Sequence, residues 1–369
     1  MQITLKFFNI LFSTLFFYAV HAQVDSSIDF NSKRRVVSSY IEKGFVMIQS
    51  PKINNLKNAH PEQFSVDYST LFQDKNTYNL YGCFIRRGVS MSYVNFKSPI
   101  AGKGLLVGYF IEPIFPISKK LFITLKAELG LSYLNNPFGP NNAFQNLSYS
   151  TNFNSNIHAS TGIGWLLSNH LAISGNANFH HTSNTAFRHP NYGINWITES
   201  VSLLYYPNGF KFLHYKREKP KEWKKEKIKK EFYFFYSPSQ SYYQSYQFKR
   251  NYVVGTDFEI YKKMSSINEI SVGAELYYNK IDADSVTVFK NNKSSLQAGI
   301  MIGHRFLMNR FSFSQQLGFY TSSFPSYNSI LFIRLGLTYQ IDRKWKVGIN
   351  FKDHGKTADF LDLRLGFLF

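Results

Sequence analysis

The chain has a single cysteine, Cys83, among 369 residues. That excludes an intramolecular disulfide and any multi-cysteine metal site. Charge is scarce too, at 18% Asp, Glu, Lys and Arg, against roughly 25% in soluble domains. After residue 22, apolar runs never approach the length of about 18 residues that a spanning helix needs. A mean hydropathy of −0.24 agrees and excludes a bundle of transmembrane helices. Acidic residues are the rarer charge, 23 against 42 basic, giving +19. What the chain has instead is aromatics, 37 Phe and 25 Tyr. So many large rings cannot all stay wet, which argues against disorder.

Both termini carry an address. Residues 1–22 read as a secretory signal: Lys6 supplies the positive charge, Phe7 to Val20 an apolar stretch, and Val20 and Ala22 small residues for cleavage before Gln23. That stretch of 14 residues is short for a bilayer span. The last nine residues, Leu361 to Phe369, are apolar at every odd position. Period two marks a strand with one greasy face. A long open edge of this kind invites aggregation, so closure onto the first strand is expected. A terminal strand ending in Phe resembles the C-terminal signal of bacterial outer-membrane barrels.

The interior of the chain alternates in the same way. Leu121, Ile123, Leu125, Ala127, Leu129, Leu131 and Tyr133 share one face, with Lys126 and Glu128 on the other. Ile270 to Tyr278, Leu331 to Tyr339 and Trp345 to Phe351 repeat the pattern. Charges recurring on the polar face of strands about ten residues long, with aromatics near the ends, mark a transmembrane barrel. The expected fold is all-β, a transmembrane antiparallel barrel of 12–16 strands, with two smaller barrels as the alternative. Short connections at 116–120, 167–170 and 342–344 and longer ones at 135–153, 184–193 and 353–359 set the periplasmic and external ends. Domains follow: signal 1–22, a barrel half 23–207, a basic linker 208–230, and C-terminal strands 231–369. The run from Lys216 to Lys230 reads first as a solvated periplasmic linker, with contact to anionic inner-leaflet head groups as the alternative. An exported basic segment without interleaved stacking aromatics is a poor nucleic-acid site. Gly355, Lys356 and Thr357 lack the earlier glycine of a phosphate loop, since position 350 is Asn.

One hairpin carries chemistry. Along 171–183 the apolar face is Leu171, Ile173, Gly175, Ala177 and Phe179, and it continues to His181 and Ser183. The polar face ends at His180 and Thr182. His181 and Ser183 are thus neighbours on the lipid-facing wall at its outer-leaflet end. An imidazole beside a hydroxyl is the minimum unit for nucleophilic acyl transfer. H-x-S spacing also suits a plain polar rim. The return strand adds Asn195 and Glu199, polar intruders on a face otherwise formed by Ile197, Val201, Leu203 and Tyr205. An acid kept on a lipid-facing wall is a functional candidate. His180 and His181 point to opposite faces, so a metal shared with His189 is not expected.

The run His181, Ser183, Asn184, then Pro190, Asn191, Gly193 and Asn195, resembles the signature of PagL-type lipid A 3-O-deacylases, the acyloxyacyl hydrolase family. The resemblance implies an outer-membrane barrel esterase without cofactor or metal, acting on lipid A of lipopolysaccharide. It implies His181 as general base, Ser183 as nucleophile, Asn184 and Asn191 as supports for the oxyanion or the loop, and Gly193 as the turn back into the membrane. The family's acid falls at Asn195. Asn can orient a His but cannot offset the imidazolium charge, which leaves Asn195 or the displaced Glu199 as third member. The competing expectation is a non-catalytic barrel, structural, lipopolysaccharide-binding or channel-forming, that keeps the hairpin. The likeness covers the signature and, weakly, residues 25–206; it does not extend to 231–369.

Overall fold

The computed structural model describes residues 33–142, 144–185, 187–219, 222–243, 247–280, 295–321, 330–354 and 358–369. The signal segment 1–22 and residues 355–357 lie outside them. Within the described residues, sixteen antiparallel strands form two closed barrels of eight. The first barrel holds β1 (Lys33–Met47), β2 (Glu62–Phe72), β3 (Phe84–Asn95), β4 (Lys103–Pro116), β5 (Leu121–Leu134), β6 (Phe153–Leu166), β7 (Leu171–Ser183) and β8 (Ile194–Tyr205). The second holds β9 (Lys229–Tyr243), β10 (Gln247–Lys263), β11 (Asn268–Asn279), β12 (Leu296–Met308), β13 (Phe311–Tyr320), β14 (Leu331–Gln340), β15 (Trp345–Asp353) and β16 (Ala358–Leu368).

The all-β barrel reading holds, and of the two arrangements the sequence left open the two-barrel one is realised. Strand β8 returns to β1, from Val37 opposite Tyr205 to Met47 opposite Asn195. With β1 taken, the C-terminal strand cannot close on it. β16 pairs with β9 instead, Leu363 opposite Tyr236, which corrects the expected partner. Either closure removes the open edge, and lipid tolerates only such edgeless sheets.

Alternation sorts the side chains. Ile41, Phe64, Leu131, Ile163, Val201, Val272, Ile302 and Leu363 face outward and are exposed. The inward positions carry ion pairs rather than a lumen. In the first barrel Lys126 Nζ donates to Asp67 Oδ2 at 3.0 Å, and Arg86 pairs with Glu112. A gap of about 20 Å³ beside them has room for about one water. In the second barrel Arg334 lies between Glu275 at 2.5 Å and Asp362 at 2.7 Å. Each of these buried charges is matched by an opposite one, as burial requires.

The linker is apolar before it is basic. Phe210 and Phe212 are buried with Leu71, Phe84, Ile114 and Phe122 at the short-turn end of the first barrel. Phe212 lies 5.5 Å from Phe122 and 6.3 Å from Phe84, centroid to centroid. Arg217 follows, donating from Nη2 to the Leu80 carbonyl at 3.0 Å. Leu80 belongs to the short helix α1 (Lys75–Tyr81), whose last carbonyls need such partners.

Candidate active site

The site is built at one end of β7 and β8. In the ladder His181 stands opposite Ile157 of β6 and Asn195 of β8. His180, one residue earlier, turns inward. Its Nε2 lies 2.9 Å from Glu42 Oε2, and its ring stacks between His158 at 4.2 Å and Trp196 at 4.8 Å. The two adjacent histidines therefore serve opposite faces, as the pleat dictates.

On the outer face three side chains form a hydrogen-bonded chain. His181 Nδ1 lies 2.5 Å from Asn195 Oδ1, and His181 Nε2 lies 3.0 Å from Ser183 Oγ. The amide oxygen only accepts, so Nδ1 carries the proton and donates it. Nε2 is then the lone-pair nitrogen, and Ser183 Oγ donates to it. That tautomer is the one a general base needs. Ser183 and Asn195 are both buried, at 9% and 8% exposure, despite facing outward.

A long connection supplies the cover. Residues 147–150, between β5 and β6, fold back over the hairpin. Gly193 N donates to the Ser148 carbonyl at 2.8 Å and Tyr192 N to that of Leu147 at 3.2 Å. Asn184 Nδ2 donates to Ser150 Oγ at 3.1 Å, while Asn184 N donates to Asn191 Oδ1 at 3.0 Å. Gln49, just beyond β1, donates from Nε2 to the carbonyls of Tyr192 and Gly193, both at 2.9 Å. Ser155 Oγ donates to the Ser183 carbonyl at 2.7 Å. The hairpin turn is thus clamped from two connections and from strand β6.

Gly193 is required twice over. Its φ of +71° lies in the left-handed region, which costs other residues roughly 1–2 kcal/mol. A Cβ there would also sit 2.9 Å from His181 Cε1. Gly193→Ala is expected to tilt the imidazole and lower turnover by about tenfold, the price of roughly 1.4 kcal/mol of lost alignment. Steady-state kinetics of the purified variant check this; a rate within twofold of wild type would detach Gly193 from the imidazole's placement.

Of the residues singled out in the sequence, the structure brings His181, Ser183, Asn184, Asn191, Gly193 and Asn195 together. It does not bring Glu199. That residue is exposed, opposite Ala177 of β7 and Lys43 of β1. Four residues along an extended strand put it about 13 Å from the Asn195 level, beyond side-chain reach of His181. Gln49, Ser148, Ser150 and Ser155 were missed. What signal there was lay in position: Ser148 and Ser150 lie in a connection read as an external loop, and Ser155 is directly across the ladder from Ser183, while Gln49 lies in a connection after β1 that carried no reading.

Fold and site together define a class: closed antiparallel barrels with a hydrolase-like Ser–His pair on the outer wall of one of them. The family is more particular. Residues 62–203 match the family model described as Lipid A 3-O-deacylase (PagL), and residues 228–369 match that described as Acyloxyacyl hydrolase, C-terminal domain. The chain belongs to this PagL family. The second match covers the barrel to which the hairpin resemblance did not extend. No curated protein matches the chain. Among solved structures it is similar to Neisserial surface protein A, at 12% identity and a TM-score of 0.30, over 47% of this chain and 97% of that one. It is also similar to the Pseudomonas putida toluene transporter TodX, at 7% identity and a TM-score of 0.19, over 93% and 89%.

Proposed function

We propose that the protein is an outer-membrane esterase that removes an ester-linked acyl chain from lipid A of lipopolysaccharide, at the outer leaflet. The carrying observation is the chain Asn195–His181–Ser183 on the outward wall of the first barrel, with Nε2 at 3.0 Å from the hydroxyl. Family membership supplies the reaction class and the substrate. A signal peptide removed before Gln23 accounts for export.

His181 Nε2 takes the Ser183 proton as Oγ attacks the ester carbonyl carbon. The tetrahedral intermediate collapses, the C–O bond to the sugar breaks, and His181 returns the proton to the departing hydroxyl oxygen. Water, deprotonated by the same nitrogen, then attacks the acyl-enzyme. The fatty acid leaves and Ser183 regains its proton. Asn195 fixes the ring and its tautomer through both steps. Asn184 and Asn191 hold the loop in which the oxyanion is received, and Gly193 lets the chain turn back into the membrane. The residues that act here call for no metal or cofactor. With Lys6 lost in the signal peptide, the remaining net charge of about +18 favours an anionic glycolipid.

The competing reading is a non-catalytic barrel, and Asn195 in place of an acid is the observation that favours it. Against a channel stands the ion-paired interior of both barrels. Mass spectrometry of lipid A from cells expressing wild type or Ser183→Ala decides. Loss of one acyl group with wild type only is the expected result. Identical spectra, with both proteins folded in the membrane, would end the lipid A deacylase reading.

A further inference from the structure

The short-turn end of the second barrel holds a cavity of about 240 Å³. That is space for several waters, or for a small anion with part of its shell. Its lining is strongly cationic: Lys229, Arg305, Arg310, Arg343 and Lys346, against Glu269. We infer that this cavity is a binding site for a phosphate group.

The floor is already neutralised. Arg305 pairs with Glu231 and Glu269, both at 2.6 Å, and Lys346 with Glu231 at 2.6 Å. Lys229, at the rim, lies 3.3 Å from Glu226 and 3.6 Å from Glu269. Arg310 and Arg343 are different. They are exposed, and among the described residues neither guanidinium has an ion pair.

Two separate tight turns present them. Arg310 follows Asn309, whose φ of +59° makes the two-residue turn between β12 and β13. Arg343 lies in the turn between β14 and β15, beside Asp342. That acid does not serve it. Asp342 Oδ1 accepts from Lys344 N at 2.7 Å and Trp345 N at 2.8 Å. The two backbone donors hold its carboxyl below the usual carboxylate range. The acid next to Arg343 in sequence is spent on its own turn, and two guanidiniums flank one cavity without an ion pair among the described residues.

Guanidinium forks match phosphate oxygens bidentately. A tetrahedral anion is bridged from two directions more readily than a planar carboxylate. Short turns mark the periplasmic side of such barrels, where the anion is either a phospholipid head group or free phosphate.

Isothermal titration of the full chain in detergent, with inorganic phosphate at fixed ionic strength against chloride, tests the site. Saturable binding is expected. It should weaken by about tenfold or more in Arg310→Ser/Arg343→Ser, the loss of charge-assisted hydrogen bonds. Arg310→Lys/Arg343→Lys should fall between, keeping charge without the fork. Both positions are exposed turns, and heat-modifiable gel mobility verifies the barrel. Repeating the titration in nanodiscs separates the sources. Phosphate binding that phosphatidic acid abolishes and phosphatidylcholine does not assigns the site to a lipid phosphomonoester. Binding that survives both assigns it to the free anion. Absence of saturable binding in detergent, or equal affinity in the serine double variant, overturns the site.

Discussion

His181→Ala is expected to slow acyl release by about 10³–10⁴-fold, with little change in KM. A serine hydroxyl is a weak nucleophile, and the positioned base is used in both acylation and deacylation. In acid-containing triads a single deletion costs up to about 10⁶. With Asn195 as third member the wild type begins nearer the background, so the fall is smaller. Ser183→Ala should match it, and His181→Ala/Ser183→Ala should be no slower than either, because the two groups act as one unit. Initial rates of fatty-acid release from lipid A micelles by purified protein give all three numbers. Losses that multiply in the double variant, or a His181→Ala enzyme within tenfold of wild type, would mean that Ser183 is not activated through this imidazole.

The wall on which these residues sit was legible because period two is a local property. Ile163 and Val201 face out, and Asn156 and Thr198 face in, by parity alone. Closure is not local. The alternation of β8 or β16 records which face is apolar, not which strand lies beside it. So one large barrel and two small ones read alike until the ladder from Val37 to Met47 against β8 is seen. The interior was hidden for the same reason. Lys346 meets Glu231 across 115 positions and Arg334 meets Glu275 across 59. Nothing in either strand names its partner. The linker was half legible. Its Lys run marks a solvated segment, but Phe210 and Phe212 lack a period and so gave no sign that they plug the end of a barrel.

The hairpin that carries His181 and Ser183 shows the same division. Parity placed His181, Ser183, Asn195 and Glu199 on one face, and spacing placed His181 beside Ser183. Choosing between Asn195 and Glu199 required the register of β7 on β8, in which His181 stands opposite Asn195 and Ala177 opposite Glu199. The cover from residues 147–150 was not legible at all, since a loop's contacts depend on where its two strands end.

Asn195→Asp should raise turnover. The Oδ1 contact at 2.5 Å already sets the tautomer, so a carboxylate in the same place adds charge without new geometry. A neutral hydrogen bond contributes about 1 kcal/mol and one to a charged group about 1.5–3. The carboxylate gains most when the imidazole is protonated, in the transition state. Burial of the acid offsets part of this, by about 1 kcal/mol or less near the interface. A net of about 1.4 kcal/mol corresponds to tenfold, so kcat should rise by about tenfold. Asn195→Ala should fall by about the same factor, as the ring loses its anchor. Glu199→Gln should stay within about twofold, because its carboxylate lies some 13 Å along the strand. The three variants together assign the third member. A loss in Glu199→Gln with none in Asn195→Ala would transfer the role to Glu199 and require β8 to slide along β7 in the working enzyme. A gain confined to Asn195→Asp would show that this site runs on orientation alone and has the electrostatic part of the triad still to acquire.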